Sequence, residues 1–157
     1  MAKKVIRKLE FEVGQIDHLF EVYADLLERA RENTPDVVEI TAMASILHSF
    51  YNGLENIFLA VAKGIDKDVP SGGQWHRDLL EQMTRATPIR NPVLTDETSV
   101  QLDEYMGFRH FYRHSYSFFL NWERLELLVT PLPEIWEQAK DEIQQFLRQI
   151  EGENETD

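Results

Sequence analysis

The chain contains no cysteine, so disulfides and thiolate metal sites are excluded and a reducing, cytoplasmic setting is expected. It has no apolar run long enough to span a bilayer. Its opening residues, MAKKVIRKLEFEVG, mix charge through the apolar positions and do not read as a secretory leader. Basic residues are scarce: 16 Lys and Arg stand against 28 Asp and Glu, a net charge of −12. That balance counts against broad nonspecific nucleic-acid binding, which rests on a basic surface. Runs of period two bounded by turn residues are missing, and no sheet is expected. The signatures HExxH, GxSxG and GxxxxGK[ST] are absent, which disfavours zinc, serine-nucleophile and P-loop chemistry. Neither a metal nor another cofactor is expected.

What the chain does have is helical periodicity. Its 157 residues, 43% of them hydrophobic, suit one domain with a single core. Leu9, Val13, Ile16, Phe20, Tyr23, Leu27 and Ala30 recur by fours and threes, predicting one amphipathic helix over 8–30. The same step through Ile40, Met43, Leu47, Phe50, Leu54, Ile57 and Val61 predicts a second helix. Ala44, Tyr51 and Phe58 widen its stripe, so it is the more deeply buried one. The short RENTPD connection makes the two antiparallel. Gly53 suggests close approach by another backbone, and Gly64 is expected to close the helix. His48 and Glu55 fall near the less apolar side and receive no functional role.

A third helix is predicted over 75–86, with Trp75 as a lid on the core. The irregular segment 85–98 carries Arg85 and Arg90, and reads either as a solvated connector or as an RNA-contacting loop. Thr95 or Thr98 should cap the next helix, Thr98 through a capping box with Gln101. A short helix over 122–129 and a last one starting near Pro133 complete the pattern. The expectation is an all-α bundle of about five helices over residues 1–150, followed by a disordered acidic tail at 151–157.

One stretch reverses the local charge. Arg109-His110-Phe111-Tyr112-Arg113-His114-Ser115-Tyr116 places two arginines, two histidines and two tyrosines in eight residues. On a helix, with Arg109 at zero, Arg113 lies at about 40°, His110 at about 100° and His114 at about 140°, forming one basic arc. Aromatic residues, among them Tyr105, Phe108, Phe111 and Tyr112, take most of the remaining circle, so the arc is expected outward and the aromatics inward. Arginine matches phosphate oxygens and histidine moves protons near neutral pH. The pair suits cleavage of a phosphodiester without a metal. Neighbouring arginines should also lower a histidine pKa. Because Arg109 and His114 lie far apart around one straight helix, either the helix deforms or a second copy completes the site.

Arg109, four residues, His114, one residue, Tyr116 resembles the active-site signature of the HepT-like ribonuclease toxins of the HEPN superfamily. YNGLENIF at 51–58, WHRDLLEQM at 75–83 and ERLELLV followed by PLPEIWEQ extend the likeness over most of residues 1–150. The resemblance implies a metal-independent endoribonuclease acting on an RNA substrate as a homodimer. It assigns catalysis to Arg109 and His114; His110 and Arg113, on the same basic arc, are expected as supporting phosphate contacts. It also implies a nucleotidyltransferase antitoxin as partner, which attaches AMP to the tyrosine at position 116. Two alternatives stand beside it. One is a catalytically inactive HEPN-like module that binds a nucleotide or partners a nucleotidyltransferase; the other is an interaction domain whose basic arc is a salt-bridged interface.

Overall fold

A computed structural model describes residues 2–114 and 120–156; residues 115–119 and the side chains of 114 and 154–156 lie outside the described residues. Seven α-helices occur among the described residues: α1 (Ala2–Val22), α2 (Ala24–Glu32), α3 (Val37–Val61), α4 (Trp75–Gln82), α5 (Asp96–His114), α6 (Trp122–Val129) and α7 (Leu132–Thr156). The described residues contain no strand, only an isolated bridge between Thr87 and Arg90. None of these helices is long and apolar enough to cross a membrane. The all-α class follows from the periodicity, with more segments than the five expected.

Helix α3 is the axis of the bundle. Phe50, Tyr51, Leu54, Ile57, Phe58 and Val61 are all fully buried, and α1, α4, α5 and α6 pack around it. It opens on Asp36, whose side chain accepts from the Glu39 N–H at 2.8 Å while the Glu39 carboxylate accepts from the Asp36 N–H at 3.1 Å. This reciprocal box satisfies two amide donors that a helix start otherwise leaves open. Two glycines set its contact with α1. A Cβ on Gly53 would lie 2.7 Å from Ile16 Cγ1, and one on Gly64 would collide with Val5. The neighbour at Gly53 is thus a side chain, not the backbone expected. Rising numbers on α1 meet falling numbers on the α3 side, so the two run antiparallel.

Several boundaries differ from expectation. The first helix is two, because Tyr23 at φ −106° and ψ 15° interrupts it. Hydrogen bonds Tyr23 N–H to Leu19 O and Leu27 N–H to Tyr23 O continue on either side, so the break is a kink rather than a loop. Gly64 does not close α3, which widens into a π-helical turn over Ala62–Asp66 and ends at Lys67 in the left-handed region, φ 56°. Helix α4 stops at Gln82 instead of reaching 86. Thr95 provides the cap of α5, its Oγ1 accepting from the Thr98 N–H at 3.2 Å. Thr98 is buried inside the helix, and its hydroxyl donates to Glu142 of α7. Helix α6 is a separate helix with its own cap, Asn121 Oδ1 accepting from the Glu123 N–H.

The segment 85–98, read either as a solvated connector or as an RNA-contacting loop, is exposed over much of its length, Arg85 included, but is anchored at Arg90, Val93 and Leu94. Val93 and Leu94 are buried, and both of their N–H groups donate to Met83 O. Arg90 is buried with Asp66 in a bidentate pair, Nε to Oδ1 at 2.6 Å and Nη2 to Oδ2 at 2.8 Å. Its Nη1 donates to the carbonyls of Arg85 and Asn91, and Nη2 also donates to that of Gln82. A buried guanidinium needs both a counter-charge and partners for its donors, and here it has both.

Two stability predictions follow from these ties. Arg90→Ala leaves Asp66 as an unpaired buried charge and should cost about 3–5 kcal/mol in chemical denaturation; a loss below 1 kcal/mol would show that the clasp is not needed. Glu142 accepts from the Thr95 N–H, the Thr98 hydroxyl and the Gln138 amide. Burial pulls its pKa up, but those hydrogen bonds together outweigh burial and hold the carboxyl below its usual value of 4.5. A folded pKa below the unfolded one contributes stability that is complete above the unfolded value and is lost as pH falls through the folded value. The stability difference between the wild type and Glu142→Gln should therefore be largest near neutrality and shrink on acidification below about pH 4.5. A difference independent of pH would contradict this.

Candidate active site

The buried stripe of α5 runs Thr98, Leu102, Tyr105, Arg109, Tyr112, in steps of four and three. Arg109 therefore occupies a position on the inward face, contrary to the expectation that the whole basic arc points outward. Its side chain is only 13% exposed. A guanidinium there requires hydrogen-bond acceptors and a negative charge from the facing helix, and α3 supplies both. Arg109 Nε donates to Asn52 Oδ1 at 2.6 Å, and Nη1 lies 3.2 Å from Glu55 Oε1. Glu55 is itself buried, and its other oxygen, Oε2, is 2.7 Å from His76 Nδ1 on α4. One carboxylate thus joins three helices.

The protonation pattern follows from the donor inventory. A carboxylate oxygen only accepts, so the His76 nitrogen facing it carries the hydrogen. The 3.4 Å approach of Arg109 Nη1 to the same nitrogen then sets two donors side by side, both directed at Glu55. The His76 side chain is 31% exposed, and its ring lies 3.6 Å from that of Trp75. Trp75, half-buried against the core, thus also packs on the imidazole.

One turn before Asn52, His48 extends the same face of α3. Its Nδ1 lies 3.5 Å from Asn52 Nδ2, and its ring packs against Tyr112 at 5.2 Å between centroids. Burial, and then the positive charges of Arg109 and Arg113, hold its pKa below 6.5. The effect expected of the arginines on a histidine is therefore seen at His48. Beneath the cluster, the fully buried Tyr51 hydroxyl has no hydrogen-bond partner among the described residues. Burial, reinforced by Glu55, pushes its pKa far up and keeps it protonated.

The other residues of the motif divide. His110 and Arg113 are exposed on the outer face of α5. Phe111 is 46% exposed, contrary to the expected inward aromatic side, while Phe108 and Tyr112 are half-buried and stack at 6.0 Å. The backbone of His114 ends α5; its side chain and Tyr116 lie outside the described residues. Arg109 is thus brought together with Asn52, Glu55 and His76, none of which the sequence reading placed in the site. The signal for Glu55 was present. It follows Tyr51 by four and precedes Phe58 by three, so it lies on the core stripe, where a carboxylate needs a partner.

Elsewhere, a groove of about 820 Å3 lies between α1, α2 and α7, lined by Asp17, Glu21, Glu28, Glu32 and Glu137 beside Arg31 and Lys140. Its excess of carboxylates makes it unsuited to a phosphate ligand.

Residues 42–150 match the profile of a family described as HepT-like protein. The chain belongs to the HepT-like family. No curated protein and no solved structure matches it. The HepT-like span takes in α3 from its second turn onward, α4, α5, α6 and most of α7, and so contains Asn52, Glu55, His76 and Arg109 together. The all-helical architecture agrees with the HEPN-like fold this family implies.

In an NMR pH titration, the His48 midpoint should fall below 6.5 and rise in Arg113→Gln, because removing a nearby cation favours the imidazolium. A midpoint unmoved by that substitution would remove Arg113 from the site's electrostatics.

Proposed function

We propose that this HepT-like protein is a cytoplasmic, metal-independent endoribonuclease and the toxin of a pair with a nucleotidyltransferase antitoxin. The observation that supports catalysis most directly is the way Arg109 is held. With Nε on Asn52 and Nη1 on Glu55, the guanidinium is fixed before any substrate arrives. A preorganised cation needs little rearrangement when charge grows on a phosphate in the transition state.

In this reading His114 takes the proton of a ribose 2′-hydroxyl. The 2′-oxygen then bonds to phosphorus, and the bond from phosphorus to the 5′-oxygen breaks with its electron pair left on that oxygen, which takes up a proton. The products are a 2′,3′-cyclic phosphate and a 5′-hydroxyl. Arg109 stabilises the charge on the phosphate, and the exposed His110 and Arg113 contact phosphates on either side. The working form is a homodimer with its α5 helices facing each other. AMP attached to Tyr116 would add bulk and negative charge two residues from His114, opposing RNA at that place. Net charge −12 makes contact with generic RNA weak and salt-sensitive, so selectivity rests on this local basic patch.

One observation favours a second reading, an inactive HEPN-like module that binds a nucleotide or a nucleotidyltransferase: Glu55 already balances the charge of Arg109, as in a purely structural ion pair. The two readings separate on RNA incubated with the purified, unmodified protein in excess chelator. The nuclease yields fragments ending in 2′,3′-cyclic phosphate, and His114→Ala lowers their rate at least about 100-fold. Nucleotide binding with no fragments, over a panel of structured and single-stranded RNAs, would decide for the inactive module.

A further inference from the structure

We infer that His76 is a second proton-transfer residue of this site, the general acid that delivers a proton from Nε2 to the leaving 5′-oxygen while Glu55 holds its Nδ1–H. The inference rests on the nuclease reading above and supplies a group that reading leaves open. Cleavage of a ribose phosphodiester needs one proton removed and one supplied, and an alkoxide leaves poorly without the second.

Four observations converge on His76. Its Nδ1 is 2.7 Å from a carboxylate oxygen of Glu55, and Glu55 lies in the buried core, so the ring's tautomer and direction are set by a group that does not wander. That contact consumes Nδ1 and leaves Nε2 as the nitrogen able to exchange a proton with a substrate. The ring is one-third exposed, unlike the carboxylate behind it, at 31% against 6% for the two side chains. Finally, Arg109 Nη1 is 3.4 Å from His76 Nδ1, so the imidazole stands beside the guanidinium that holds the phosphate in the nuclease reading. Trp75, packed on the ring, restrains its tilt.

The arrangement is that of a carboxylate orienting a histidine, with an arginine alongside to hold the anion. The charged groups that face His76 are Glu55 from α3 and Arg109 from α5. A purely structural histidine at this place would need neither the exposed edge nor the proximity to the motif arginine. In the cleavage step, His114 removes the 2′-hydroxyl proton as the oxygen bonds to phosphorus. His76 Nε2–H protonates the 5′-oxygen as its bond to phosphorus breaks, and His76 then recovers a proton from water. The number of protons bound to the protein is restored once His114 releases the one it accepted.

The test compares two oligonucleotide substrates, one ordinary and one with sulfur in place of the leaving 5′-oxygen, a leaving group that departs without a proton. Wild type, His76→Ala, His76→Gln and His114→Ala are assayed in chelator, with melting temperatures measured alongside. Both His76 variants should lose about 100-fold or more on the ordinary substrate and recover most of that rate on the sulfur substrate, whereas His114→Ala should be slow on both. Equal losses on the two substrates would make His76 a structural residue, and unchanged turnover of the ordinary substrate would remove it from the reaction; either overturns the inference with the nuclease reading intact. Failure of the wild type to cleave either substrate would sink the nuclease reading and this inference with it.

Discussion

The arrangement of the site depends on one buried carboxylate. Glu55 stands on the core stripe of the most buried helix, a place where an unpaired charge would cost several kcal/mol. It is tolerated because Arg109 enters from α5 and His76 from α4 to meet it. The converse also holds: the motif arginine can occupy an inward position only because a carboxylate waits there. The charge requirement therefore fixes the register of α5 on α3 as firmly as the apolar stripe does, since sliding α5 by one residue would separate Arg109 from both Asn52 and Glu55.

The fold was legible where periodicity alone decides it. The stripes of α3 and α7 read directly from the sequence, as did the short α6, because amphipathic spacing and caps are local signals. The kink at Tyr23 was not legible, since the apolar pattern passes through it unbroken. Nor was the packing of residues 85–95, because the interaction that organises it joins Arg90 to Asp66, 24 positions earlier. An arginine in a proline-containing loop looks solvated until its partner is known.

The site was legible only in part, and for a related reason. Arg109 stood out by motif, but a wheel drawn for one helix groups all basic residues into one arc and says nothing of what faces them. The facing helix divided that arc, taking Arg109 inward and leaving His110 and Arg113 exposed. Asn52, Glu55 and His76 sit within YNGLENIF and WHRDLLEQM, the segments that carried the likeness to HepT-like proteins, yet they were read there as scaffold. A buried acid in an apolar helix is the more informative signal, because burial obliges it to have a partner and so points to a second element.

The strong acidity of the chain is compatible with a local basic site. Five carboxylates line the groove between α1, α2 and α7, a groove that includes none of the residues around Arg109. Under the nuclease reading, a net charge of −12 disfavours nonspecific contact with RNA and leaves capture to a few groups held in fixed geometry. Rigidity then matters more than overall charge. Helix α3, against which α1, α4, α5 and α6 pack, provides it: Asn52 and Glu55 lie nine and six residues before the end of this 25-residue helix, and Gly53 between them meets Ile16 of α1. Arg109 inherits that rigidity through two short polar contacts, and His76 through one.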